Sequence, residues 1–234
     1  MQNLLNSLKK DCWFQIGTNT GIDNFRQYVN YYKPKKVILV EANSSLIDDI
    51  NKNYDSIKKF TEVIIINKTI YTENDKEVSL FIPAENGIYG RPGVQPDRKQ
   101  GNHLYTNEQF SLLPMNDWGE KKHMIEIKSN SITFERLCEE LNVKNIDFLQ
   151  IDTEGFDSEI IKSINLKEID ISVIRYEKWP FKEECFTRYN NENKKKYGLN
   201  GMKCVKDKLE KHNYKLHDIR DGDGDDIIAI KINL

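Results

Sequence analysis

Five short apolar runs, separated by stretches of helical spacing, constrain this chain more than any other feature. They are Cys12–Ile16, Lys36–Glu41, Glu62–Asn67, Ile146–Ile151 and Ile171–Tyr176. Runs dominated by Val, Ile, Leu and Phe fit strands covered on both faces, as in a parallel sheet with crossover helices. Between them the apolar period becomes helical. Ile22, Phe25, Tyr28, Val29 and Tyr32 predict a helix over 21–32, which Pro34 ends. A second helix is expected over 44–53, with Ser44 or Ser45 as its N-cap. Phe134, Leu137, Cys138 and Leu141 predict a third over 131–141, and two more are expected over 158–164 and 202–212. Two strands, 214–219 and 227–232, then flank Asp221-Gly-Asp-Gly-Asp-Asp226, a Gly/Asp turn typical of a hairpin. The pattern predicts an α/β domain spanning residues 1–234, with a mostly parallel sheet that ends in an antiparallel hairpin.

The alternation breaks in two places. Residues 69–72 and 77–83 read as a small hairpin around Glu73-Asn74-Asp75, and a strand follows over 124–128. Between them lies 84–122, a long stretch with Gly and Pro and little periodicity. A loop of that length inside a compact domain is uncommon, and is usually functional or disordered. A second polar stretch covers 178–200. The aromatic and basic residues of these two segments, Tyr89, Arg91 and Trp179 foremost, are the candidate acceptor-binding residues. Aromatic faces suit sugar rings, and Arg suits an acidic group.

Composition narrows the function classes. A chain of 234 residues buries a core without disulfides or structural metals. The net charge of -2 carries no basic excess for nucleic acid, and Lys194-Lys195-Lys196 is a short solvated run. Cys12, Cys138, Cys185 and Cys204 form no close-spaced pair, so no zinc site is expected and free thiols point to the reducing cytoplasm. Residues 1–10 read as a short amphipathic helix without a signal-peptide core, and no stretch approaches the roughly 20 apolar residues of a membrane span. Membrane insertion is not expected. The Asp221–Asp226 turn resembles the start of a calcium loop, but Ile232 stands where the closing Glu belongs, so a hairpin turn is the expectation.

Three clusters carry chemistry. Gln15-Ile-Gly17-Thr18-Asn19-Thr-Gly21 lies between the first strand and its helix, where glycine permits a sharp turn and close ligand approach. Its spacing is GxxxG rather than the GxGxxG that a pyrophosphate needs. Glu41, at the tip of the second strand, is placed to accept hydrogen bonds from ribose hydroxyls. Asp152-Thr-Glu154-Gly155 follows the fourth strand, on the rim where open α/β sheets bind ligands. These carboxylates could orient a hydroxyl, act as a base or share a metal. Glu177 ends the fifth strand on the same rim, and His103 and His123 are further base candidates from the mid-chain segment.

The third cluster carries a family resemblance. Ser131-Ile-Thr-Phe-Glu-Arg-Leu-Cys-Glu-Glu-Leu, followed by Ile146-Asp-Phe-Leu-Gln-Ile-Asp-Thr-Glu-Gly-Phe-Asp-Ser-Glu-Ile-Ile-Lys, resembles the FkbM methyltransferases and their stretch "iDflKiDvEGaElevLkG". Asp147, Asp152, Glu154, Gly155 and Glu159 are in register, with Ile161 for the leucine. Gln150 replaces the usual lysine, Phe156-Asp157 replaces Ala-Glu, and Ser163 stands where glycine is frequent. Phe14 to Gly21 resembles "DvGAnxG" with Gln15 for the acid, and Val40-Glu41-Ala42-Asn43 resembles "vEPnp".

The resemblance covers about residues 12 to 180. It implies a class I methyltransferase (Rossmann-like) sheet, mostly parallel, with a C-terminal antiparallel hairpin and a long mid-chain insertion. It implies S-adenosylmethionine as cofactor and O-methylation of a sugar, glycan or other small-molecule hydroxyl. Gly17, Asn19 and Gly21 would then line the methionine moiety, with Gln15 and Thr18 beside them. Glu41 would take the ribose, flanked by Ala42 and Asn67, and Asp152 the junction of cofactor and acceptor. Two alternatives are a nicotinamide-dependent oxidoreductase and a non-catalytic module that binds an adenosyl ligand. Gln15 leaves open how the cofactor's amino group is held, because an amide supplies no charge.

Overall fold

The computed structural model describes residues 1–83, 124–178, 199–221 and 224–232. The apolar runs form β1 (Cys12–Ile16), β2 (Lys36–Glu41), β3 (Glu62–Asn67), β8 (Phe148–Ile151) and β10 (Val173–Glu177). The C-terminal pair forms β11 (Tyr214–Asp221) and β12 (Gly224–Lys231). These seven strands make one sheet in the order β3-β2-β1-β8-β10-β12-β11. β1, β2, β3, β8 and β10 pair parallel. β12 enters between β10 and β11 and is antiparallel to both. The sheet is therefore the class I methyltransferase sheet expected from the sequence.

Strict alternation along each strand divides the core between two faces. Phe14, Ile38, Val40, Leu149, Ile151, Ile174 and Tyr176 pack with α4 (Phe134–Glu140), α5 (Asp157–Ser163) and α6 (Leu199–Lys211). Trp13, Val37, Leu39, Phe148, Val173 and Ile228 pack with α1 (Gln2–Ser7), α2 (Asn24–Tyr32) and α3 (Ile47–Asn53). The Trp13 ring lies 5.4 Å from Phe148, 5.9 Å from Tyr32 and 6.3 Å from Phe25.

Asp147 links the entry points of two neighbouring strands. It interrupts the expected strand 146–151, leaving a two-residue β7 (Asn145–Ile146) that pairs with β9 (Asp170–Ile171). Its carboxylate accepts the amides of Asp11 at 2.7 Å and Cys12 at 2.9 Å, so it sets the start of β1 against the start of β8.

Several local expectations are corrected. Residues 69–83 are not a hairpin. β4 (Thr69–Ile70) and β5 (Glu77–Pro83) both pair with a longer β6 (Met124–Ile132), β4 parallel and β5 antiparallel. The partner strand arrives from much later in the sequence, and local turn residues carry no sign of it. The third predicted helix starts later, at Phe134, because Ser131 and Ile132 still pair in that sheet and Thr133 is the N-cap. The cap of the 44–53 segment is Asn43, whose Oδ1 accepts the Ser45 amide, and the segment opens with a 3₁₀ turn (Ser44–Leu46). Among the described residues no helix is long and apolar enough to cross a membrane.

Trp13 has no exposed surface. Trp13→Ala is expected to cost about 3–5 kcal/mol through lost burial and the cavity left behind. Chemical denaturation checks this, and a loss below about 1 kcal/mol would contradict the packing described.

Candidate functional site

The glycine loop is shaped by two backbones that meet at the sheet rim. Gly17 donates to the Val40 carbonyl at 3.0 Å, and Thr18 does so at 3.2 Å. Gly17 has φ +81°, and a Cβ there would overlap the Asp152 carbonyl oxygen. The amide of Asp152 in turn donates to Ile16 at 2.9 Å. The exits of β1 and β8 are thus in direct backbone contact, which only glycine allows at this position. Gly21 has φ +73°, and its Cβ would sit 2.9 Å from the Tyr54 ring. Asn53 Nδ2 anchors the loop through the Thr20 carbonyl at 2.8 Å.

Glu41 joins this loop to the tip of β2. Its Oε2 accepts the Asn19 amide and its Oε1 the Asn43 amide, both at 2.7 Å. The residue has no exposed surface, so its ionised form is poorly solvated. Burial pushes the Glu41 acid up to about 8, against the opposing pull of the Asn43, Asn19 and Ala42 amides. Asn67 Nδ2 holds the chain beyond it, donating to the carbonyls of Glu41 at 2.9 Å and Ala42 at 3.2 Å. Gln15, Gly17, Thr18, Asn19, Gly21, Glu41, Ala42 and Asn67 therefore all belong to the loop and the adjoining strand tips.

The second part of the site is acidic. Asp152, Glu154 and Glu177 each bring a carboxylate oxygen within 4.8 Å of the others. Glu154 (φ +52°) and Gly155 (φ +105°) turn the chain back over the rim. Asp157 supports this turn from below. Its Oδ1 accepts the Thr153 amide at 3.0 Å as well as the Thr153 hydroxyl, and its Oδ2 accepts the Glu177 amide at 3.1 Å. Burial raises the Asp157 acid to about 6. Asp152 is pushed well above the usual carboxylate range, first by burial and then by the charges of Glu154, Asp157, Asp23 and Asp226.

Beneath the rim runs a polar row. Gln15, Gln150 and Arg175 are cross-strand neighbours on β1, β8 and β10, on the Trp13 face of the sheet, and all three are buried. Arg175 donates to Asp226 Oδ2 through Nε at 2.7 Å and pairs with it through Nη2 at 2.5 Å. Gln15 Nε2 donates to Asp23 Oδ2. The oxygens Gln15 Oε1 and Gln150 Oε1 are buried with no hydrogen-bond partner among the described residues. The sequence reading passed over Asp23, Asp157, Arg175 and Asp226 as site residues. A signal was present: three central strands each carry a polar residue at the same alternation position, the last before the rim. Phe156, another departure from the family pattern, stacks on Tyr71 with ring centres 5.5 Å apart. His103, His123, Tyr89, Arg91 and Trp179 lie outside the described residues.

The Methyltransferase FkbM domain matches residues 15–216. This chain belongs to the FkbM methyltransferase family. Its cofactor is S-adenosylmethionine, and the family match sets aside the oxidoreductase alternative. No curated protein matches the sequence. Among solved structures, the chain is similar to an O-methyltransferase from Bacillus cereus in complex with SAH (10% identity, 98% of this chain and 78% of that one, TM-score 0.48). It is also similar to the precorrin-6y C5,15-methyltransferase of Geobacter metallireducens (11%, 98% and 84%, TM-score 0.45). A third is Aeropyrum pernix fibrillarin with bound S-adenosyl-L-methionine (10%, 95% and 67%, TM-score 0.46). Strand order and register define the fold of this FkbM methyltransferase.

The Glu41 carboxyl gives the FkbM methyltransferase a stability that depends on pH. The native state holds this proton more tightly than the unfolded chain does. Its contribution is therefore complete below about pH 4.5 and is lost as pH rises through about 8. Asp157 acts in the same direction up to about pH 6. Glu41→Gln leaves one of two amides without an acceptor, so Tm is expected to fall at every pH. Its decline between pH 5 and pH 8 should nonetheless be shallower than in the parent chain. Thermal melts across that range test this, and an unchanged decline would exclude Glu41 as the titrating group.

Proposed function

We propose that this chain is an O-methyltransferase acting on a hydroxyl of a sugar, glycan or other small molecule. The carrying observation is the convergence of Asp152, Glu154 and Glu177 on the rim beside the glycine loop. Methylating a hydroxyl requires a group that orients it and receives its proton. Burial, and then the charges of neighbouring acids, raise the Asp152 acid above the usual carboxylate range, which strengthens its hold on a proton. The dense acidic rim and the net charge of -2 also favour a neutral or cationic acceptor over a polyanion.

The cofactor fits the loop. Gly17 lets the loop turn tightly against Asp152, and Gln15 Oε1 is a buried acceptor with no hydrogen-bond partner among the described residues. S-adenosylmethionine supplies an electrophilic methyl group on a sulfonium. The chain must align the hydroxyl with it, exclude water and take up the proton. Asp152, on β8 against Gly17, lies at the junction and receives the proton at its carboxylate, with Glu154 and Glu177 orienting the hydroxyl. Glu41 holds the loop through Asn19, and the second lone pairs of its oxygens accept from the ribose. Tyr89, Arg91 and Trp179 are proposed as acceptor contacts, and His103 as a second base to test. Free thiols at Cys12, Cys138 and Cys204 support a reducing compartment, the cytoplasm.

The test is methyl transfer from isotopically labelled S-adenosylmethionine to a panel of sugars, nucleotide-sugars and glycans. Asp152→Asn keeps the side-chain shape and is expected to lose on the order of 100-fold or more in turnover. Near-normal turnover by this variant would remove Asp152 as the base. Transfer to RNA alone would overturn the acceptor class.

A further inference from the structure

The acid expected at the head of the glycine loop is an amide here, Gln15, and the structure provides a charge beside it. Gln15 is fully buried at the end of β1, two residues before Gly17. Its Nε2 donates to Asp23 Oδ2, which fixes the orientation of the amide. Oε1 is left as a buried acceptor with no partner among the described residues. Leaving such an acceptor unpaired is costly unless a ligand donor fills the position. Asp23 is held in place as the N-cap of α2, its Oδ1 accepting the Arg26 amide at 2.8 Å.

We infer that Gln15 and Asp23 together form the seat for the α-ammonium group of the methyl donor, Gln15 Oε1 accepting one N–H and Asp23 supplying the negative charge. This assignment rests on the S-adenosylmethionine reading of the loop. An ammonium group has three donors and no acceptor, so it suits an amide oxygen next to a carboxylate. Arg175, one of the cations that act on Asp23, is itself paired with Asp226. Asp23 carries a raised acid, chiefly through burial, with Arg26, Gln15 and Arg175 pulling it down. A ligand cation would complete its compensation. The chain thus restores, from the helix cap, the charge that Gln15 lacks. The site selects adenosyl ligands that keep the amino-acid end over those that have lost it.

The test compares S-adenosylhomocysteine, which carries the amino-acid end, with 5′-methylthioadenosine, which lacks it, by calorimetry on the full chain. Asp23→Asn preserves the helix cap. It is expected to weaken S-adenosylhomocysteine at least tenfold and to leave 5′-methylthioadenosine within twofold. Adding Gln15→Glu to the Asp23→Asn chain moves the charge to the other member of the pair and should recover most of the lost affinity. Equal weakening of both nucleosides, no weakening of either, or no recovery in the double variant would overturn the assignment. A parent chain that binds neither nucleoside would overturn the cofactor reading itself, and this assignment with it.

Discussion

The contact between the exits of β1 and β8, where Gly17 lies against the Asp152 carbonyl, is the constraint on which the site depends. Parallel neighbours in a sheet normally diverge into separate loops at their ends. Here the missing Cβ lets one loop cross directly over the other. The glycine loop and the acidic rim are therefore set in one geometry by main-chain atoms rather than by long side chains. That economy of parts suits a transfer reaction, in which donor and acceptor must be aligned within tenths of an ångström.

Around this contact the protein concentrates acid groups that water does not fully solvate. Asp23, Glu41, Asp152 and Asp157 all have raised acids, and burial is the leading cause for each. Their roles differ. Glu41 and Asp157 are spanned by backbone amides and act as braces, one under the glycine loop and one between the Thr153 turn and β10. Asp152 belongs to the open rim. At Glu41 and Asp157 the hydrogen bonds they accept offset part of the cost of that burial.

Much of the fold was legible because its signals are local. Uninterrupted apolar runs gave the parallel strands, and the Gly/Asp turn gave the final hairpin. The three-stranded sheet of β4, β5 and β6 was not legible, since its pairing joins segments some 50 residues apart and register is invisible in either one alone. Of the site, the glycine loop, Glu41 and the Asp152 cluster could be read from position relative to strand ends. Asp23 could not, because it looked like an ordinary polar residue inside a helix expected to begin at Gly21. Asp226 was hidden in a turn rich in acids, where only its ion pair with Arg175, two residues before its cross-strand partner Glu177, distinguishes it.

The placement of β12 has a consequence for biosynthesis. Among the described residues, the last strand in chain order does not add to an edge but wedges into the interior of the sheet, between β10 and β11. It covers the border of β10 and carries Asp226 to the Arg175 guanidinium. The β1–β2–β3 half can therefore pair before residues 224–231 are made, while β10 gains its second neighbour only once they are. The neighbour that completes the pairing of β10 is thus supplied from the far side of β11 in sequence, not from the segment next to it.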